Sequence, residues 1–169
     1  MASAFKIDKP NYRRAEHEAL QLLQENDLSE PPIDPVLIAH GLGLTVSFVR
    51  FDGDSDQTVS GYYDCETNAI VVNKQESPLR QTFTVAHELG HKVLHEEWAR
   101  SDNYRVLLRD PTKVEWNPIE LEANAFAANL LMPRAMMDDY YNLPVEQISR
   151  LFAVSVPAVK KRLSFLYGI

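Results

Sequence analysis

Cysteine is nearly absent: Cys65 stands alone, so no internal disulfide can staple the fold, which fits a reducing compartment. Long apolar runs are missing as well. No stretch approaches the roughly eighteen residues of a membrane span, and the opening Met-Ala-Ser-Ala-Phe-Lys lacks the apolar core of an export signal. A soluble, cytoplasmic chain with no membrane association is therefore expected. Positive charge is scarce, with 17 Lys and Arg against 24 Asp and Glu, for a net charge of -7. Broad nucleic-acid binding through phosphate neutralisation needs the opposite balance, so direct DNA binding is not expected. Six glycines and ten prolines are too few for a collagenous or disordered chain, and no internal repeat is evident.

What is present is an ordinary globular composition, 45% hydrophobic and 24% charged over 169 residues, enough for one domain spanning 1–169 and too little for two comfortable ones. Leu20, Leu22, Leu23 and Leu28 among charged residues predict an amphipathic helix over 13–28, broken by Pro31, Pro32 and Pro35. Asp34 is placed to cap a short helix over 35–40 that Gly41 and Gly43 end. Alternation over 44–51 predicts a half-buried strand, and Asp52-Gly53-Asp54-Ser55-Asp56 a turn. Segments 59–63 and 69–72 flank a turn and read as a β-hairpin, so about three antiparallel strands come first. Ser77-Pro78 then opens a helix reaching about His95. Residues 96–117, interrupted by Asp102, Asn103, Asp110 and Pro111, read as loop. A second strong helix covers 118–132 and stops at Pro133, with short helical segments near 134–141, 144–152 and 156–167.

The chemistry is concentrated in His87-Glu88-Leu89-Gly90-His91. Helix residues four apart lie on one face about 6 Å apart, so His87 and His91 can direct two imidazole nitrogens at a single ion. Glu88, beside His87, is placed to hydrogen-bond a water at that ion and is the expected general base. Gly90 leaves the helix surface open.

A catalytic zinc site takes three protein ligands and leaves a fourth position open. His95 cannot be the third, because eight residues of helix separate it from His87 by about 12 Å, and it reads instead as a packing or supporting residue. His17 and His40 belong to unrelated elements. The better donor is Glu120, which shares a helix face with Asn124 and the small Ala123 and Ala127, with Asn124 as an orienting group behind the ligands. Glu122 faces another way and reads as a surface charge. The nitrogen and oxygen donor set suits Zn2+ and also accepts Mn2+ or Fe2+. Tyr104, Tyr140 and Tyr141 are candidate oxyanion donors, though a tyrosine in such a place is more often a packing aromatic.

His87-Glu88-Leu89-Gly90-His91-Lys92-Val93-Leu94-His95 after a hairpin, followed by Glu120-Leu121-Glu122-Ala123-Asn124-Ala125-Phe126-Ala127-Ala128-Asn129-Leu130-Leu131-Met132-Pro133, resembles the ImmA/IrrE family of metallopeptidases. The likeness covers about 13–166 and is most specific over 84–95 and 120–133. It implies an α+β fold like a minimal zincin or gluzincin, a small antiparallel sheet packed on a two-helix metal site with further C-terminal helices. It also implies His87, His91 and Glu120 as zinc ligands and Glu88 as catalytic acid/base, with no departure at these four positions. The implied activity is a zinc-dependent endopeptidase that cleaves a partner helix-turn-helix repressor in a mobile-element, phage, stress-response or toxin-antitoxin setting. Some relatives carry an additional C-terminal sensor domain, for which a chain ending at Ile169 leaves no room.

Residues 145–163, within a subregion of about 144–167, look like a helix-turn-helix, with Ile148 and Leu151 on one helix and Val159 and Leu163 on the next. Val156, Pro157, Ala158 and Val159 occupy the places where base-reading polar groups would sit, which favours packing or partner docking over DNA recognition. Lys160, Lys161 and Arg162 read as a solvated face. The alternative to proteolysis is a metal-binding toxin or regulatory protein that acts by binding a cognate regulator or DNA.

Overall fold

The first helix, α1 (Tyr12–Glu25), is capped by Asn11, whose side chain accepts the Arg14 N–H at 3.0 Å. The computed structural model of the protein describes residues 8–51, 59–101, 104 and 117–169. The opening hexapeptide, the turn expected at 52–56, and Asp102, Asn103, Asp110 and Pro111 lie outside the described residues. Ala15, Ala19, Leu22 and Leu23 form the buried stripe of α1, and Leu20, expected on it, is 41% exposed. The alanines set this geometry by letting α1 lie close against a later helix.

Asp34 caps α2 (Pro35–Gly41) by accepting the Val36 N–H at 2.9 Å, with Pro35 at the first helical position. Three residues later the chain enters β1 (Thr45–Val49). The hairpin forms as expected, from β2 (Gly61–Asp64) and β3 (Ala69–Asn73), paired antiparallel with Tyr63 opposite Ile70. The sheet is nevertheless mixed. Its order is β1-β3-β2, and β1 runs parallel to β3 with Thr45 opposite Ala69 and Val49 opposite Asn73. Two causes are visible. β3, with Ile70 and Val72 fully buried, takes the centre, and the short link from α2, which packs on the next helix, fixes the direction of β1. As an edge strand β1 is mostly exposed, with Phe48 and Val49 open to solvent.

Ser77 caps α3 (Pro78–Leu94), which leads through His95 into the single turn α4 (Glu96–Ala99). Asn117 accepts the Ile119 N–H at 2.9 Å and opens α5 (Pro118–Leu131). The turn α6 (Arg134–Met137) is shorter than the expected 134–141. It is followed by α7 (Val145–Phe152) and α8 (Val156–Tyr167). Helix α3 lies between the sheet and α5, and α1 covers α5. Val85, Ala86 and Leu89 of α3 share one core with Tyr63, Ile70 and Val72 of the sheet and Ile119, Phe126 and Leu130 of α5. Full burial of a side chain such as Leu89 or Phe126 contributes about 1.5–3 kcal/mol.

Two close approaches set this layering. A Cβ on Gly61 would lie 2.6 Å from Thr84 Cγ2, so only glycine lets β2 sit this near α3. A Cβ on Gly90 would lie 3.0 Å from Phe126 Cδ1 and 3.3 Å from the Ala123 Cα. Gly90 is therefore a helix-crossing position where α5 touches α3, and the open surface expected beside a metal is occupied by protein.

The helix-turn-helix-like segment forms with Ala153 in the left-handed region at φ 52 and Ser155 capping α8. Ile148, Val159 and Leu163 are buried. Lys160 and Lys161 are exposed, but Arg162 departs from the expected solvated face. Its guanidinium turns inward, donating to the Met132 carbonyl at 2.9 Å and to Asn129 Oδ1 at 2.7 Å. Burial lowers its pKa to about 10. Among the described residues no helix is long and apolar enough to cross a membrane.

Candidate metal centre

Helical spacing puts His87 and His91 on one face of α3, and the crossing at Gly90 brings the first turn of α5 over that face. Glu120 then reaches both rings. His87 Nε2 lies 3.1 Å from Glu120 Oε2, His91 Nε2 lies 3.1 Å from Glu120 Oε1, and the two Nε2 atoms are 3.1 Å apart. An ion held tetrahedrally at about 2.0–2.1 Å sets its ligand atoms about 3.3 Å apart. The two ring nitrogens are near that spacing, each ring meets a different oxygen of the one carboxylate, and one ligand atom from each residue lies within 4.8 Å of the others, so these three groups could hold one metal ion. His91 is 1% exposed and Glu120 is 32% exposed, so the cluster opens to solvent on the Glu120 side.

Electrostatics bind the triangle together. Burial raises the Glu120 carboxyl, but hydrogen bonds from His87 and His91 outweigh that effect and hold it well below the usual carboxylate range. For His87, burial acts downward and is overcome by the Glu120 and Glu88 carboxylates, leaving a net upward shift. Asn124, itself exposed, sets its Oδ1 2.9 Å from His87 Nδ1. An amide oxygen only accepts, so this contact places a proton on Nδ1 and leaves Nε2 to face the triangle.

Glu88 is buried in the wall beside the triangle. Tyr104 donates its hydroxyl proton to Glu88 Oε2 at 3.3 Å and accepts the Tyr63 N–H at 2.6 Å. The sheet backbone thus holds the tyrosine, and the tyrosine holds the carboxylate. Burial and the nearby Glu88 charge raise the Tyr104 phenol far above its ordinary value, so its proton stays on. Tyr140 and Tyr141 pack instead among the C-terminal helices, Tyr140 edge-on to Phe152 and Tyr141 stacked on Tyr167.

His95 lies one turn beyond His91, with Nδ1 3.2 Å from His91 Nδ1 and Nε2 2.7 Å from Glu122 Oε2. Burial lowers its pKa to about 4 against the opposing pull of Glu122, which keeps the ring neutral at neutral pH. Glu122 is not the surface charge expected from its helix face. It is 2% exposed and also accepts the Asn11 N–H at 2.6 Å, because α1 packs on both α5 and α3 and closes over it. One signal in the sequence points that way: a carboxylate set among Ile119, Leu121, Ala123, Ala125 and Phe126 lies in a stretch too apolar to be a solvated face. His17 and His40 are exposed and remote from the cluster.

A helix carrying His-Glu-any-any-His, a glutamate from a crossing helix and a small sheet behind them define a metallopeptidase-type site on an α+β scaffold. The sequence model of the IrrE N-terminal-like domain, a metallopeptidase family, matches residues 39–164, and the chain belongs to that family. The chain is 37% identical over 111 residues to the radiation response metalloprotease IrrE of Deinococcus deserti, covering 64% of this chain and 37% of that protein. It is 34% identical over 80 residues to the uncharacterized immunity region protein 2 of Bacillus phage phi105, covering 47% and 48%. It is 29% identical over 96 residues to the metallopeptidase ImmA of Bacillus subtilis, covering 54% of each. The chain thus spans between about a third and about half the length of these relatives. In fold it is similar to a Mycobacterium tuberculosis transcriptional regulator, with a TM-score of 0.63 and 19% identity over 90% of this chain and 46% of that one.

Proposed function

We propose that the chain is a zinc-dependent endopeptidase whose substrate is a partner helix-turn-helix repressor, acting in the cytoplasm in a phage, mobile-element, stress-response or toxin-antitoxin setting. The observation that carries this reading is the 3.1 Å triangle of His87, His91 and Glu120, open on one side, with a buried Glu88 in its wall. In this reading the three residues are the metal ligands and Asn124 steadies His87. The immunity-region name of the phage relative and the metalloprotease names of the bacterial ones support a peptidase directed at a regulator. The nitrogen and oxygen donors fit Zn2+ and would also accept Mn2+ or Fe2+.

His87, His91 and Glu120 would hold the Zn2+, which would supply Lewis acidity toward a peptide carbonyl and a water. The protein's part is proton handling and orientation. Glu88 is the general base, taking a proton from the attacking water and delivering it to the leaving amine. Tyr104 engages Glu88 Oε2, which leaves Oε1 to carry that proton; among the described residues no hydrogen bond engages Oε1. Since the single hydroxyl proton of Tyr104 is committed to Glu88, this tyrosine positions the base and does not serve as an oxyanion donor. The surface of α8 begins Val156-Pro157-Ala158-Val159, which suits docking of a protein partner better than base reading.

Co-expression with a candidate repressor tests the reading. Glu88→Gln keeps the shape of the site and its zinc, measured by metal analysis, and reduces cleavage on the order of 10²–10⁴-fold. Partner-dependent activity that survives this substitution would show that the chain acts by binding without hydrolysis.

A further inference from the structure

Behind the metal triangle, away from its open side, two buried groups that the proposed reaction does not use, Glu122 and His95, line up on His91. Glu122 Oε1 accepts the Asn11 N–H at 2.6 Å, Glu122 Oε2 lies 2.7 Å from His95 Nε2, and His95 Nδ1 lies 3.2 Å from His91 Nδ1. The line ends at His91 Nε2, a corner of the triangle. His91, His95 and Glu122 are each at most 2% exposed, so water does not substitute for these bonds.

With both rings neutral, the hydrogen-bonding capacities leave two ways to fill this line. A carboxylate is acceptor-only, so an ionised Glu122 requires the proton of His95 on Nε2. The bare Nδ1 of His95 must then accept, which requires the proton of His91 on Nδ1. That leaves the His91 Nε2 lone pair directed at the triangle. In the opposite arrangement a donor at position 122 faces His95 Nε2, both ring protons move over, and His91 Nε2 carries a hydrogen where a metal would sit. Only the first arrangement can ligate. The Asn11 N–H, a donor with no accepting capacity, requires the Glu122 oxygen that faces it to accept and ties the start of α1 to the site.

We infer that Glu122 and His95 are positioning residues forming a tautomer relay, in which one buried carboxylate acts through two hydrogen-bonded imidazoles to fix the proton of His91 on Nδ1 and free its Nε2 for the metal. The inference rests on the metal-site reading above. It also explains why a histidine too far from His87 to ligate is buried one turn below His91. Supporting partners of this kind orient ligands and raise their basicity, and their loss costs about 10–100-fold in metal affinity.

Glu122→Gln tests the relay with nearly unchanged shape. With its carbonyl beneath the Asn11 N–H, the glutamine turns an NH2 toward His95 and imposes the non-ligating arrangement. Zinc affinity of the full chain, measured by competition with a chromophoric chelator, is expected to fall about 10–100-fold, with far-UV circular dichroism of the metal-free variant unchanged. Independently of any variant, long-range proton–nitrogen NMR of the zinc-loaded, histidine-labelled chain should place the proton of His95 on Nε2 and that of His91 on Nδ1. Equal zinc affinity in a folded Glu122→Gln protein, or a proton on His95 Nδ1 in the loaded chain, overturns the relay and leaves the metal site standing. Failure of the unaltered chain to bind zinc overturns the metal-site reading itself and the relay with it.

Discussion

Two helix pairs in this protein bury polar side chains, and they do so for different ends. Where α3 meets α5, His91, His95 and Glu122 are buried in one line, with Glu88 buried beside the triangle at its end. Where α8 meets the end of α5, Arg162 is buried and both its hydrogen bonds turn inward, to a main-chain carbonyl and an amide oxygen. Burying an ionisable group is costly unless it is paired. In the second pair the cost is offset by hydrogen bonds that pin one helix to another, and nothing is left over. In the first the bonds run in a chain toward a triangle that could hold an ion. Burial alone thus does not mark a functional site, whereas a hydrogen-bonded line with an unfinished end does.

The largest effect is expected at that unfinished end. Glu120→Ala removes one corner of the triangle and should reduce bound zinc from about one equivalent to near zero, read by metal analysis after gel filtration. Retention of a full equivalent would remove Glu120 from the ligand set. Next comes the crossing that makes the triangle possible. Gly90→Val drives a branched side chain into Phe126 and the Ala123 backbone, with an expected loss of about 1–3 kcal/mol in urea unfolding and weaker zinc binding alongside. The two effects should appear together, since both depend on the approach of α5 to α3.

Arg162→Met addresses the other pair. It strands the Met132 carbonyl and Asn129 Oδ1, with an expected loss of about 1–3 kcal/mol, while zinc affinity stays within about twofold. A parallel fall in zinc affinity would mean that the two helix pairs are one mechanical unit, contrary to the contrast drawn above. The smallest effect is at the cap of α8, where Ser155 accepts the Ala158 N–H at 3.3 Å. Ser155→Ala should cost about 1 kcal/mol or less in thermal unfolding, with no change in metal content.

Much of the site is written locally. The facing of His87 and His91 follows from helical spacing, and the start of their helix follows from Ser77 and Pro78, whose serine and proline chemistry needs no distant partner. The same holds for Asn117-Pro118 before α5, for Ser155 before α8 and for the β2–β3 hairpin. The proximity of Glu120 to the histidines was legible from its place on an alanine-lined face, with the family resemblance beside it. Glu122 was misjudged because periodicity gives the face a side chain takes, and the element covering that face is unknown until α1 is in place.

The sequence by itself determined where the long helices start, the pair of histidines on one face with Glu88 between them, and the hairpin, since each depends on backbone preferences and spacings within a few residues. Only the tertiary structure decided that β1 runs parallel to β3, that Gly90 serves the contact with α5, that Tyr104 holds Glu88, that Arg162 turns inward, and that Glu122 stands behind His95. These features depend on which surfaces, far apart along the chain, exclude water from one another. Periodicity fixes where a side chain points; the packed fold alone fixes what it meets there.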